Sequence, residues 1–304
     1  MHRSGRIVSA AAATAVCLLA GCSDKPAGPT GADSRGAVQG PVVVTVGDIA
    51  CEPGDEVTAT TCQHAATAEL AGAFDPRIVL TLGDVQYNDG ELADFESVYA
   101  KSWGRFRPIT KPVLGNHEYD SEDASGYFSY FEGETPASGH YAFNINGWRI
   151  YALDSNCSET DCDTQAAWLD HDMQRHPRAC TAIAMHHPRY SSDSKHGDQP
   201  SVQPFWQVAI RHHADLALAA HAHDYERFRA MDADGHVTRR GLVSFVVGTG
   251  GKSLYTSGAA RKGSVIYYNH RAGVLALRLG HDRYTWEFRN IDGRTVDSGT
   301  HSCH

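Results

Sequence analysis

The sequence predicts an α/β (α+β) chain folded as a single-domain, four-layer sandwich, and three observations predict it. Short apolar runs bounded by turn residues recur at Val42 to Val46, Ile78 to Leu82, Pro112 to Leu114, Thr181 to Met185 and Leu216 to Ala219, as buried strands do. Helical patterns at Ala65 to Phe74, Glu91 to Trp103, Thr164 to His176 and Pro204 to His213 alternate with them. From about Leu242 onward the pattern changes: strands at Val243 to Val247, Val265 to Tyr268, Val274 to Leu279 and Tyr284 to Arg289 follow one another without helices. A second, largely antiparallel sheet is expected there.

Taken in order, the chain opens on a processing segment. Arg3 and Arg6 precede an apolar stretch from Ile7 to Ala20, too short to span a bilayer comfortably and matching a secretory signal. It ends Leu19-Ala20-Gly21-Cys22, which resembles a bacterial lipobox, so residues 1–21 read as a lipoprotein-type signal and Cys22 as the lipidated residue. Residues 22–40 are rich in Gly, Pro and polar side chains and read as a flexible tether. Residues 41–304 remain for one large domain, with no internal repeat.

Behind the apolar runs stand metal-ligand residue types: Gly47-Asp48, Gly83-Asp84-Val85-Gln86-Tyr87, Gly115-Asn116-His117-Glu118, His186-His187-Pro188 and His221-Ala222-His223-Asp224-Tyr225-Glu226-Arg227. In a layered α/β fold the carboxyl ends of strands lie side by side, so residues far apart in the chain converge there. Hard oxygen donors mixed with imidazole suit iron, zinc or manganese, and a cysteine-only structural zinc site is excluded. Together the five segments outline a two-metal hydrolytic site.

That order of motifs is similar to the calcineurin-like metallophosphoesterases, most closely the purple acid phosphatases, over about residues 41 to 290. The resemblance implies an α-β-β-α sandwich without the separate N-terminal β-domain of the plant enzymes. It implies two metal ions: one held by Asp48, Asp84, Tyr87 and His223, the other by Asp84, Asn116, His186 and His221, with Asp84 bridging. Tyr87 discriminates within the superfamily, because a phenolate favours Fe(III), with Zn, Mn or Fe(II) at the other position. His117 is implied to face the substrate phosphate, where it assists the leaving oxygen. His196 and His187 are candidates for phosphate contact, and Glu118 either orients His117 or caps the next turn. Arg189 has the right charge for phosphate but reads rather as a solvated arginine. Two positions depart from the family pattern, Ala50 and Ala220, where glycine is usual.

Two other motifs are rejected. Gly250-Gly251-Lys252-Ser253 looks like the end of a P-loop, yet the first glycine would fall on Val246 and no helix-forming stretch follows, so a loop near the site rim is expected. Asp232-Ala233-Asp234-Gly235 lacks the later ligands of a calcium loop and reads as a hairpin turn.

Eight cysteines divide into Cys17 in the signal, Cys22 as anchor, and six others. An even number in an exported chain implies disulfides, for which about 15 connectivities exist. Sequence proximity favours Cys51 with Cys62 and Cys157 with Cys162, leaving Cys180 for Cys303. The charge balance is 27 basic against 36 acidic residues. Loss of Arg3 and Arg6 with the signal leaves 25 against 36, a net charge of −11, which argues against nucleic-acid binding.

The expected protein is an exported dimetal phosphatase that hydrolyses phosphate monoesters by attack of a metal-bound hydroxide, with phosphodiesters open. The competing reading is a phosphate- or metal-binding lipoprotein without turnover. Its partner is a small phosphorylated substrate, its only membrane contact a lipid anchor on an extracytoplasmic surface, or none if secreted.

Overall fold

Thirteen strands form two sheets in the computed structural model, which describes residues 38–304. The signal segment and the proposed anchor Cys22 lie outside the described residues. In chain order the strands are β1 (Val42–Val46), β2 (Ile78–Leu82), β3 (Thr110–Val113), β4 (Tyr141–Ile145), β5 (Trp148–Ala152), β6 (Cys180–Ala184), β7 (Leu216–Ala219), β8 (Tyr225–Met231), β9 (Leu242–Val247), β10 (Ser264–Tyr268), β11 (Gly273–Leu279), β12 (Arg283–Asn290) and β13 (Thr295–Ser302). The first sheet runs β13-β12-β11-β1-β2-β3 and the second β10-β8-β9-β7-β6-β5-β4.

β1, β2 and β3 are mutually parallel, as are β5, β6, β7 and β9. Their near-continuous burial follows from being covered on both faces. Alternation along β6 shows how: Cys180, Ala182 and Ala184 join the core shared by the two sheets. Ile183 and, just beyond the strand, Met185 join a second core under the helices Cys162–Arg175 and Gln203–Arg211. The first of these helices starts on Asp161, whose carboxylate accepts from the amides of Asp163 and Thr164.

The expectation of a separate C-terminal antiparallel sheet is corrected. β11, β12 and β13 are antiparallel but extend the first sheet through β1, while β9 and β10 complete the second. A fully buried apolar strand carries no mark of which sheet it joins. Helix boundaries shift by a few residues, to His64–Gly72, Cys162–Arg175 and Gln203–Arg211. The stretch expected as one helix at Glu91 to Trp103 contains a π turn at Phe95–Tyr99 and continues in tighter 3₁₀ turns to Ile109. The β4–β5 hairpin turns on Asn146-Gly147, both in the left-handed region. Asn-Gly is the dipeptide that a two-residue hairpin turn of this kind favours, although it was not singled out as a turn signal from the sequence. The turn at Asp232 is a hairpin as expected: its carboxylate accepts from the amides of Asp234 and His236.

Three disulfides, Cys51–Cys62, Cys157–Cys162 and Cys180–Cys303, pair the cysteines as sequence proximity favours. Among the described residues no helix is long and apolar enough to cross a membrane.

Candidate metal centre

The loops that leave β1, β2, β3, β6 and β7 bring their polar side chains to one place. Asp48, Asp84 and His221 all sit in the left-handed backbone region, with φ of 58°, 47° and 67°. For residues with a Cβ this costs about 1–3 kcal/mol each, and such positions persist where surrounding structure over-determines them. Here the surroundings are each other. The His221 amide donates to Asp48 Oδ2 at 2.9 Å, and the His117 amide donates to Asp84 Oδ1 at 2.9 Å. Gly115 is required beside them, because a Cβ there would stand 2.2 Å from Asp84 Oδ1.

The donor atoms fall into two groups. Tyr87 OH lies 2.9 Å from Asp48 Oδ1, 2.9 Å from Asp84 Oδ2 and 3.0 Å from His223 Nε2. His186 Nε2 lies 3.2 Å from Asp84 Oδ2, 3.2 Å from Asn116 Oδ1 and 3.1 Å from His221 Nδ1. Asp84 Oδ2 belongs to both. Ligands about 2.1 Å from a metal stand roughly 3.0–3.4 Å from one another along the edges of an octahedron or tetrahedron. The observed spacings have that size.

Charge makes the same point. Asp48, Asp84, Tyr87, His186 and His223 are all at most 3% exposed. Among the described residues, the two carboxylates have only histidines as ion-pair partners. Buried carboxylates without a cation are costly. Burial disfavours the His186 imidazolium, but Asp84 outweighs it and lifts the group to about 9. Burial, then Asp48 and Asp84, push the Tyr87 phenol well above its usual range. A cation between these groups reverses both costs. The residues therefore fit two metal ions.

Several residues that hold the donors went unrecognised in the sequence. His186 Nδ1 donates to the Leu82 carbonyl at 2.8 Å, and His223 Nδ1 lies 2.8 Å from Ser253 Oγ, fixing each ring through its other nitrogen. Ser253 belongs to the Gly250-Gly251-Lys252-Ser253 loop, whose Lys252 amide donates to Asp48 O. Lys252 Nζ stands 5.0 Å over the Tyr87 ring. Tyr255 stacks on His223 at 4.0 Å. Glu118 neither orients His117 nor caps a turn: its carboxylate accepts from the amides of Asp84 (2.9 Å), Val85 (2.7 Å) and Gly115 (2.6 Å).

His117 stands at the edge of the donor cluster. Its Nδ1 is 2.6 Å from the Asn88 carbonyl and 3.2 Å from Asp120 Oδ2, both acceptors, so Nδ1 carries a proton. Nε2 lies 4.0 Å from Asp84 Oδ2. The His187 ring packs 4.4 Å and the His196 ring 4.3 Å from that of His221. Arg189, expected as a solvated arginine, is half-buried: it donates to the Ala233 carbonyl and lies over the Tyr190 ring. The departure at Ala220 is accommodated. The Ala220 methyl occupies the space beside Gly47 that a Cβ on that glycine would need.

A two-sheet α/β sandwich with this cluster at its strand ends defines the metallophosphoesterase class. The chain belongs to the calcineurin-like phosphoesterase family, whose model matches residues 42–225. It is 27% identical over 197 residues to purple acid phosphatase 23 of Arabidopsis thaliana, covering 52% of this chain and 43% of that one. To a nucleotide pyrophosphatase/phosphodiesterase of Hordeum vulgare it is 26% identical over 268 residues, covering 73% and 71%. The structure of purple acid phosphatase PPD1 from yellow lupin (Lupinus luteus) superposes with a TM-score of 0.65 at 20% identity, covering 88% of this chain and 54% of that one, which shows the shared fold. The chain thus spans less than half of the Arabidopsis relative and about half of the lupin chain.

Proposed function

We propose that this protein is an exported dimetal phosphatase acting on phosphate monoesters. The observation that carries the reading is Asp84 Oδ2, which lies at once 2.9 Å from Tyr87 OH and 3.2 Å from His186 Nε2 and so is shared by the two donor groups. Asp48, Asp84, Tyr87 and His223 would hold one ion, Fe(III) by the preference of a phenolate. Asp84, Asn116, His186 and His221 would hold the other, Zn, Mn or Fe(II). Bound there, the pair supplies an activated water and neutralises charge on the phosphoryl oxygens. The chain's own part is to keep those donors at fixed spacing and to present His117 Nε2 to the leaving oxygen, with the ring oriented by Asn88 and Asp120.

The activity for which the barley relative is named, and its match over most of both chains, support phosphodiesters or pyrophosphates as the second reading. Export rests on the signal-like segment, the lipobox-like Leu19 to Cys22 and the three disulfides. One purified sample tests these readings together, assayed on mono- and diesters, with its metal content, visible spectrum and N-terminal mass recorded. Monoester turnover, two metals including iron, a coloured oxidised form that Tyr87→Phe bleaches, and a lipid-modified Cys22 are expected. A colourless, iron-free enzyme whose activity survives Tyr87→Phe would overturn the iron assignment, and an unmodified mature N-terminus elsewhere the anchor. Metal binding without turnover of any ester would leave only a binding protein.

A further inference from the structure

The two ends of the strands differ in charge. At the metal-centre end, the loops that follow β1, β2, β3 and β5 (residues 47–63, 83–91, 114–140 and 153–161) carry acids and not one Lys or Arg. At the opposite end a groove of about 1130 Å³ lies under the starts of β1 and β2. Arg77, Lys111 and Arg278 line it, and Asp75 is the one acid among its lining residues.

Arg278 stands opposite Val42 in the β11–β1 register, and the Arg77 amide donates to the Val42 carbonyl from the other side. With strands about 4.8 Å apart, the two arginines start roughly 10 Å from each other. Both are exposed, and Lys111 Nζ reaches in from β3, 5.9 Å over the Phe143 ring. The nearby Arg105, Arg107 and Arg283 each pair with a carboxylate. Among the described residues Arg77, Lys111 and Arg278 have no such partner. Three cations that converge on a groove without a counter-charge suit an anion.

The course of the chain indicates which anion. Gly40 and Pro41 line the same groove, and Arg278 Nη1 donates to the Gly40 carbonyl at 3.0 Å. Only residues 23–37 separate the lipobox cysteine from Val38, so a lipid on Cys22 keeps the groove within about 60 Å of the bilayer even at full extension. The acidic end does not cancel the attraction: Val42 and Asp48 are roughly 20 Å apart along β1. That exceeds the Debye length of about 8 Å at physiological salt.

We propose that this groove docks on anionic phospholipid headgroups, with Arg77, Lys111 and Arg278 meeting their phosphates. An anionic surface attracts this end and repels the acidic loops, so docking turns the metal centre toward the solution and toward soluble esters. The choice of a membrane rests on the lipid-anchor reading, whereas the binding itself can be measured without the anchor.

Val38–His304 holds both cores and the three disulfides and so folds without the segment before it. The probe is sedimentation of Val38–His304 with vesicles of phosphatidylglycerol or of phosphatidylcholine at about 0.15 M salt. It should bind the anionic vesicles, release from them as salt rises, and ignore the neutral ones. Each base near an anionic surface is worth roughly fivefold in partition. The variant Arg77→Gln, Lys111→Gln, Arg278→Gln should therefore lose on the order of 100-fold, with an unchanged near-UV circular dichroism spectrum. Arg271→Gln with Arg294→Gln, at the metal-centre end, should lose nothing. No binding to phosphatidylglycerol, equal binding to both vesicles, an unaffected triple variant or an equal loss in the distal pair would each overturn the proposal. Release by inorganic phosphate at constant ionic strength would assign the groove to a free anion instead, and dimers abolished by the triple variant would assign it to a second copy; either result overturns the membrane assignment. An unmodified mature N-terminus would remove the anchor and leave the vesicle result standing.

Discussion

At the scale of single residues, His117 is distinguished from the other histidines by what its two nitrogens face. Nδ1 is committed to the Asn88 carbonyl and Asp120, and Nε2 is left toward the cluster, 4.0 Å from Asp84 Oδ2. With Nδ1 protonated, Nε2 can deliver a proton to the leaving oxygen, or stabilise its charge, only when the ring is doubly protonated, a form that has no free nitrogen for a metal. His117→Ala should therefore retain both metals and lower kcat by roughly 10²-fold or more for substrates with poor leaving groups. Elemental analysis and kcat on the same preparation check this, and near-normal turnover of an alkyl phosphate refutes it. The candidate ligands were legible because each follows a buried apolar run, where a chance Asp or His is uncommon in such an order. Ser253 and Asn88 were not, since a Ser or Asn in a polar loop carries no local sign of the ring it orients.

At the scale of elements, the site depends on loops held against each other. Glu118 joins the loop after β2 to the loop after β3, accepting the amides of Asp84 and Val85 from one and Gly115 from the other. Burial and the nearby Asp84 charge push its carboxyl up to about 7, against the lowering by the Gly115 and Val85 amides. It is buried at that cost and serves as a fixed acceptor. Glu118→Gln replaces one acceptor oxygen by an NH₂ facing backbone N–H groups, so donors oppose donors and the two loops separate. Such outer partners are worth about 10–100-fold in metal affinity. Chelator competition should show a weakening of that size, with kcat recovering when metal is supplied in excess; unchanged metal affinity would mean the loops hold without it. Nine of the thirteen described strands were legible from their apolar runs, while β4, β5, β8 and β13 were not expected. Sheet membership was not legible, because β9 and β11 are both apolar and buried yet join different sheets.

At the scale of the molecule, the disulfide Cys180–Cys303 ties the start of β6 in the second sheet to the tail that follows β13, the edge of the first. His304 reinforces the closure, its amide and Nδ1 both reaching Asp215 Oδ1 at 2.7 and 3.0 Å, while Asp215 Oδ2 accepts the Thr181 amide at 2.8 Å. The bond closes a sequence separation of 123 residues. Restricting a loop of that length in the unfolded chain is worth about 5 kcal/mol in the chain-entropy account, and about 2–5 kcal/mol is the usual cost of removing a native disulfide. The donor cluster should not feel the change. Cys180 opens β6 and His186 lies beyond its other end, and at about 3.3 Å per residue the two are roughly 20 Å apart. The double variant Cys180→Ser, Cys303→Ser should therefore unfold at lower denaturant, with about 2–5 kcal/mol less stability, while its metal content and kcat at 25 °C stay at wild-type values. Equal stability would show that strand pairing and the Asp215 contacts already hold the tail. A fall in metal content in the folded variant would show instead that the cross-sheet bond sets the spacing of the donor atoms.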